Sequence, residues 1–111
     1  MINIVYYIHE DDRVIEESIN FLAFQTINNS DYQKNYTILK NEKFKTSIKY
    51  INLKNIDVIN KNIKELIKKE KNCLPMVTIN DNLFCKKRIL TIKELSKLLD
   101  IGFNIQEQED F

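Results

Sequence analysis

The sequence predicts an α/β domain built on a four-stranded mixed sheet flanked by helices. Three observations carry that prediction: a short apolar run at the start, an amphipathic stretch from Asp57 to Lys71, and the chain's only proline, Pro75, standing before two short apolar runs. Apolar runs of four to eight residues with β-branched and aromatic members read as buried strands, and apolar residues three and four apart read as helices.

Ile2 to Ile8, "INIVYYI", is the first expected strand, buried on both faces, and it stops at "HEDD", residues 9 to 12. From Arg13 the spacing turns helical to about Gln25, with Val14, Ile15, Ile19, Phe21 and Leu22 as the apolar stripe and Asp11 or Asp12 capping the first turn. Ser30 with Gln33 has the spacing of a capping box, which opens a second helix to about Asn41 with Tyr32, Tyr36 and Leu39 on one face.

"KTSIKYINLKN" returns to alternation, with Ile48, Tyr50 and Leu53 on one side and Lys49 and Ile51 on the other, and is the second expected strand. Ile59, Ile63, Leu66 and Ile67 then repeat at helical spacing, and the lysine-rich end complements the partial negative charge of a helix C-terminus. "MVTI" and "LFCKK" flank "NDN", which predicts an antiparallel hairpin. Thr91 with Glu94 is another capping box, and the helix it opens buries Leu95, Leu98 and Leu99 before Gly102 ends it. Residues 1 to 104 form one domain on this reading, and 105 to 111 an acidic, loose tail.

Composition narrows the function. At 111 residues, 43% hydrophobic and 30% charged, the chain suits one globular domain that buries roughly two-thirds of its unfolded surface. A net charge of +1, with lysines and acids interleaved, gives no support to nucleic-acid binding. No run is long enough to span a bilayer, no signal-peptide pattern opens the chain, and two cysteines read as reduced thiols, so a cytoplasmic address is expected.

The order strand, helices, strand, helix, hairpin, helix is that of a thioredoxin-like fold with one extra helix near the start. A right-handed crossover makes the first two strands parallel, and the hairpin adds antiparallel strands. In that fold the hairpin is entered through a cis peptide bond, which proline alone adopts at low cost; Pro75 stands in that place.

The stretch "INLKNIDVINKNIKELIKKEKNCLPMVTINDNLFCKKRILTIKELSKLLDI", about residues 50 to 101, also resembles the ArsD family of arsenical-resistance proteins. The likeness lies in "NL" at the strand end, the amphipathic helix, "LP" and a strand, a tight turn, a second strand with a basic end, and "T-x-x-E-L-x-x-L-L". It implies a cytosolic, non-enzymatic protein that binds As(III) or Sb(III), passes it to an efflux-pump ATPase and weakly represses its operon. The family's metalloid ligands are cysteines after the first strand, and here that loop, "HEDDRVIEES", has none. The C-x-x-C of a disulfide exchanger is missing with them.

The remaining candidates are few. Cys73 and Cys85 are the possible soft-metal ligands, provided they face the same side, and otherwise act as small buried hydrophobes. His9, Glu10, Asp11 and Asp12 form the one local group of ligand types, although consecutive residues do not all point at one centre. Lys86, Lys87 and Arg88 would meet an acidic partner, or serve as a charged edge that discourages aggregation. No nucleophile pairs with a base and no phosphate loop is present, so an enzyme is not expected.

The expectation is therefore a thioredoxin-fold, ArsD-like module without cofactor, which has lost its thiol chemistry and acts by binding another protein through the loop His9, Glu10, Asp11 and Asp12 and the inserted helix, of the kind a mobile element or phage would use against a host complex. The second expectation is an arsenical-resistance accessory that uses Cys73 and Cys85, and the third a single-cysteine redox protein. Tyr and Phe content would also permit a homodimer.

Overall fold

The structure, a computed structural model, describes residues 1–52, 54, 59–70 and 72–103. The expected tail at 105 to 111, Leu53, and both ends of the helix expected from Asp57 to Lys71 lie outside the described residues.

Four strands, β1 (Ile2–His9), β2 (Phe44–Ile51), β3 (Met76–Ile79) and β4 (Asn82–Lys86), form one sheet in the order β2-β1-β3-β4. β1 and β2 are parallel, while β3 is antiparallel to both β1 and β4. These are the directions the sequence predicts. Five helices accompany the sheet among the described residues: α1 (Arg13–Glu16), α2 (Ile19–Ile27), α3 (Ser30–Lys40), α4 (Lys61–Lys69) and α5 (Ile92–Leu99).

Successive side chains of a strand point to opposite faces, and β1 divides accordingly. Ile4, Tyr6 and Ile8 pack with Phe21, Phe24 and Ile27 of α2, Tyr36 of α3, and Leu95 and Leu99 of α5. Val5 and Tyr7 pack on the other face with Ile51, Ile59, Met76, and Ile63 of α4. Burial of β1 on both faces explains why its sequence is a continuous apolar run rather than an alternation.

The first helical segment differs from expectation. Ser18 takes an extended conformation, donates its hydroxyl to Ile15 O at 2.7 Å and accepts Phe21 N–H at 3.2 Å, so it ends α1 and caps α2. The break turns the helix, and α2 buries Phe21, Ala23, Phe24 and Ile27 while Val14 and Leu22 face solvent. Asp12 does cap the first turn, its Oδ1 accepting Ile15 N–H at 3.1 Å.

The capping box expected at Ser30 and Gln33 is also displaced. Ser30 is already helical, and Asn29 is the cap, its Oδ1 accepting Asp31 and Tyr32 N–H at 2.9 and 3.0 Å. Gln33 instead donates to Ile27 O and to Thr46 Oγ1, at 2.9 and 2.8 Å, tying α3 to β2. Tyr36 is buried with its hydroxyl donating to Leu99 O, while Leu39 is exposed, because the α3 face turned to the core is narrow. Tyr50 stands partly exposed at the free end of β2.

Asn80 and Asp81, both at positive φ, form a two-residue turn, and β4 begins one residue earlier than expected, at Asn82. Val77 pairs with Cys85 and Thr78 with Leu83, which leaves Phe84 as the extra residue of a bulge. The Thr91–Glu94 capping box forms as predicted. α5 ends not at Gly102 but at Asp100, which takes the left-handed conformation of a C-cap.

Candidate functional site

The C-terminal end of β1 brings two of the predicted groups together. The Leu74–Pro75 peptide is cis, as predicted, and leads directly into β3, the neighbour of β1. His9, Glu70, Cys73 and Leu74 line a cleft of about 290 Å³ beside it. A second cleft, about 420 Å³, opens on the other side of His9 and is lined by Glu10, Asp11, Asn52 and Lys54.

The loop residues are occupied by local bonds. Asp11 N–H donates to His9 Nδ1 at 3.2 Å, and Asp12 N–H donates to His9 O at 3.0 Å. Glu10 accepts Asn52 Nδ2 at 2.8 Å, and its amide donates to Ile51 O, which fastens the loop to the end of β2. Asp12 is spent on capping α1. No group of three or more His, Cys, Asp or Glu side chains converges on a metal-sized site among the described residues.

Cys73 borders the first cleft but is almost wholly covered. It is 2% exposed, packs against Ile63 and Met76, and points its thiol at Leu66 O, 3.8 Å away. Burial, aided by the nearby Glu70 carboxylate, pushes the thiol pKa up, so the nucleophilic thiolate is disfavoured at neutral pH. Cys85 lies on the opposite face of the sheet, with Tyr6 and Val77, and its thiol contacts Arg88 O at 3.5 Å. Burial raises it too. The sheet stands between the cysteines, so the shared site of the arsenical reading is not formed. Pair alternation could have revealed this only with the bulge at Phe84 known, since that residue fixes the side on which Cys85 falls.

The basic run is dispersed as well. Lys86 Nζ lies 2.7 Å from both Glu70 oxygens and draws that carboxyl below its ordinary range. Arg88 forks onto Glu94 at 2.6 and 3.0 Å. Lys87, at positive φ, is exposed, while its amide donates to Cys73 O at 3.0 Å and joins the end of β4 to the segment before Pro75.

Two features escaped the sequence reading. Val14, on an α1 that buries none of its residues, extends the loop surface with an 81% exposed apolar side chain. Lys49 and Lys45 stand exposed along the outer strand β2, which nothing in their spacing distinguished from an ordinary half-buried strand.

Comparison with protein-family models, curated proteins and solved structures finds no match to the chain. No helix among the described residues is long and apolar enough to cross a membrane.

Proposed function

We propose that this chain is a non-enzymatic, thioredoxin-like protein-binding module that has kept the recognition end of that fold without its thiol chemistry. The strand order β2-β1-β3-β4, one parallel and two antiparallel pairings, and cis-Pro75 at the entry to the hairpin support the fold assignment. The likeness of residues 50 to 101 to ArsD-like proteins supports a common origin.

The observation that carries the functional reading is the pairing of an open end with a closed thiol. The clefts around His9 and the exposed Val14 offer a contact surface, whereas Cys73 beneath them is buried, protonated and without a second cysteine on its face. A partner bound here would meet side chains and backbone, not a nucleophile.

Titration of the reduced protein with arsenite tests the chemistry. The expected result is no stoichiometric heat; one-to-one binding abolished by Cys73→Ser would replace this reading with the arsenical one. Photo-crosslinking tests the surface, comparing a probe at Asp11 with one at Lys97 in an extract of the source cells. A discrete product from position 11 alone is expected, and identical products from both positions would contradict the assignment.

A further inference from the structure

β2 lies at the edge of the sheet, with β1 on one side and no strand of the described residues on the other. The direction of its backbone groups follows from two bonds: Ile2 N–H donates to Lys43 O, and Glu10 N–H donates to Ile51 O, both at 3.2 Å. In a parallel ladder alternate residues turn their amide and carbonyl to the same neighbour. Residues 43, 45, 47, 49 and 51 therefore turn inward, and Phe44, Thr46 and Ile48 direct theirs away from β1.

The two edges of the sheet differ. β4 is five residues long and broken by the bulge at Phe84, which interrupts any ladder built on it. β2 runs eight residues in unbroken register with β1. Its charged side chains are basic: Lys45 and Lys49 share one face, Lys43 precedes the strand, and Lys34 of α3 lines a cleft of about 230 Å³ with Phe44 and Lys45. Of the nearby acids, Glu42 precedes the strand, Glu10 and Glu16 bond Asn52 and Tyr50 at its other end, and Asp31 stands in the first turn of α3, two residues before the Gln33 that bonds Thr46.

We propose that the β2 edge receives an acidic, extended segment of a partner protein as an added antiparallel strand. The inference rests on the protein-binding reading and names the surface and the partner's chemistry. Outward backbone groups supply affinity that is indifferent to sequence, and the lysines select the charge. A second copy is disfavoured by the same lysines, because antiparallel β2 strands would set Lys45 and Lys49 of one against those of the other.

The test uses the full chain, labelled with ¹⁵N, and a blocked nonapeptide of alternating valine and glutamate, with a valine–lysine peptide as control. The expected result is shifted, exchange-protected amides at Phe44, Thr46 and Ile48, and an affinity that falls with added salt. A folded Lys45→Glu, Lys49→Glu variant should bind the acidic peptide roughly tenfold more weakly and take up the basic one. If that variant does not fold, Lys49→Gln should still weaken binding and flatten its salt dependence.

Absence of binding at millimolar peptide, equal binding of both peptides, or shifts confined to β4 would overturn the inference. So would shifts on β2 that grow with protein concentration alone, which would make a second copy the occupant. Shifts confined to residues 9 to 12 would overturn it while leaving the protein-binding reading in place; arsenite binding would remove that reading with the β2 result untouched.

Discussion

Replacing Glu94 with glutamine separates charge from capping at the joint between the end of β4 and α5. Glu94 accepts Arg88 Nη1 and Nη2 at 2.6 and 3.0 Å and also Thr91 N–H at 2.9 Å, while Thr91 Oγ1 accepts Glu94 N–H at 3.1 Å. The Arg88 fork, assisted by the Thr91 amide, holds its carboxyl at about 2, against an ordinary 4.5. That gap corresponds to a ceiling of about 3.4 kcal/mol at about 1.36 kcal/mol per pH unit. The carboxylate is 28% exposed and its arginine 48%, so solvent screens the pair. Exposed ion pairs contribute about 0.2–1 kcal/mol and a helix cap about 1 kcal/mol. A loss of about 1–2 kcal/mol is therefore expected for Glu94→Gln at pH 7.

The sign with pH follows from the depressed value. The stabilisation is complete above pH 4.5 and is lost as the pH falls toward 2, because the folded state then takes up the proton that the unfolded state already holds. Urea unfolding followed by circular dichroism at pH 7, 4.5 and 2.5 should show the gap between the two proteins narrowing toward zero. Glu70, also depressed by Lys86, is common to both and cancels in the difference. An equal gap at pH 7 and pH 2.5, or none at pH 7, would refute the assignment of the effect to the Arg88 fork.

Three further outcomes are expected. Tyr6→Phe should be neutral or stabilising by up to about 1 kcal/mol, because a buried unpaired polar atom costs about 1–3 kcal/mol and the Tyr6 hydroxyl has no hydrogen-bond partner among the described residues, the Leu90 backbone approaching it without completing one; a loss above 1 kcal/mol in urea would contradict this. Asp81→Gly should stabilise the fold by about 0.5 kcal/mol in urea unfolding, since φ of 68° suits glycine, and a loss would show that the Asp81 side chain matters more than its backbone. Because burial raises both thiols above their ordinary 9.0, their contribution to stability should be flat below pH 9 and fall above it as the unfolded cysteines ionise; Cys73→Ala with Cys85→Ala should remove that part of the decline.

Strands and the strongest helices were legible because their signals are local. β1 is buried on both faces, the turn at Asn80 and Asp81 needs residues that tolerate positive φ, and Thr91 with Glu94 satisfies neighbouring amides. The errors come from side chains with two local options. Ser18 can lie within a helix or cap one, and its bonds to Ile15 and Phe21 decided for the cap, which rotated α2 and exposed Leu22. Gln33 fits a capping box, yet Thr46, thirteen residues away, competes for it.

The candidate site was legible only as a location. Pro75 marked the end of the sheet where His9 and Cys73 meet, but the burial of Cys73 comes from α4 packing above it, and the separation of Cys85 from the bulge at Phe84. Neither follows from spacing. The basic run read as one patch was divided by distant acids, Glu70 taking Lys86 and Glu94 taking Arg88.

The state of one sulfur atom separates a protein-binding role from a thiol-using one. The measurement is the rate at which Cys73 of a Cys85→Ser protein reacts with a neutral thiol reagent at pH 7, set against a short unstructured peptide of residues 70 to 76. Burial and a raised pKa predict a rate at least roughly tenfold below that of the peptide, recovered in urea. A folded-state rate equal to or above the peptide's would mean an accessible, activated thiol at the end of β1, and a thiol-using protein in place of the proposed binding module.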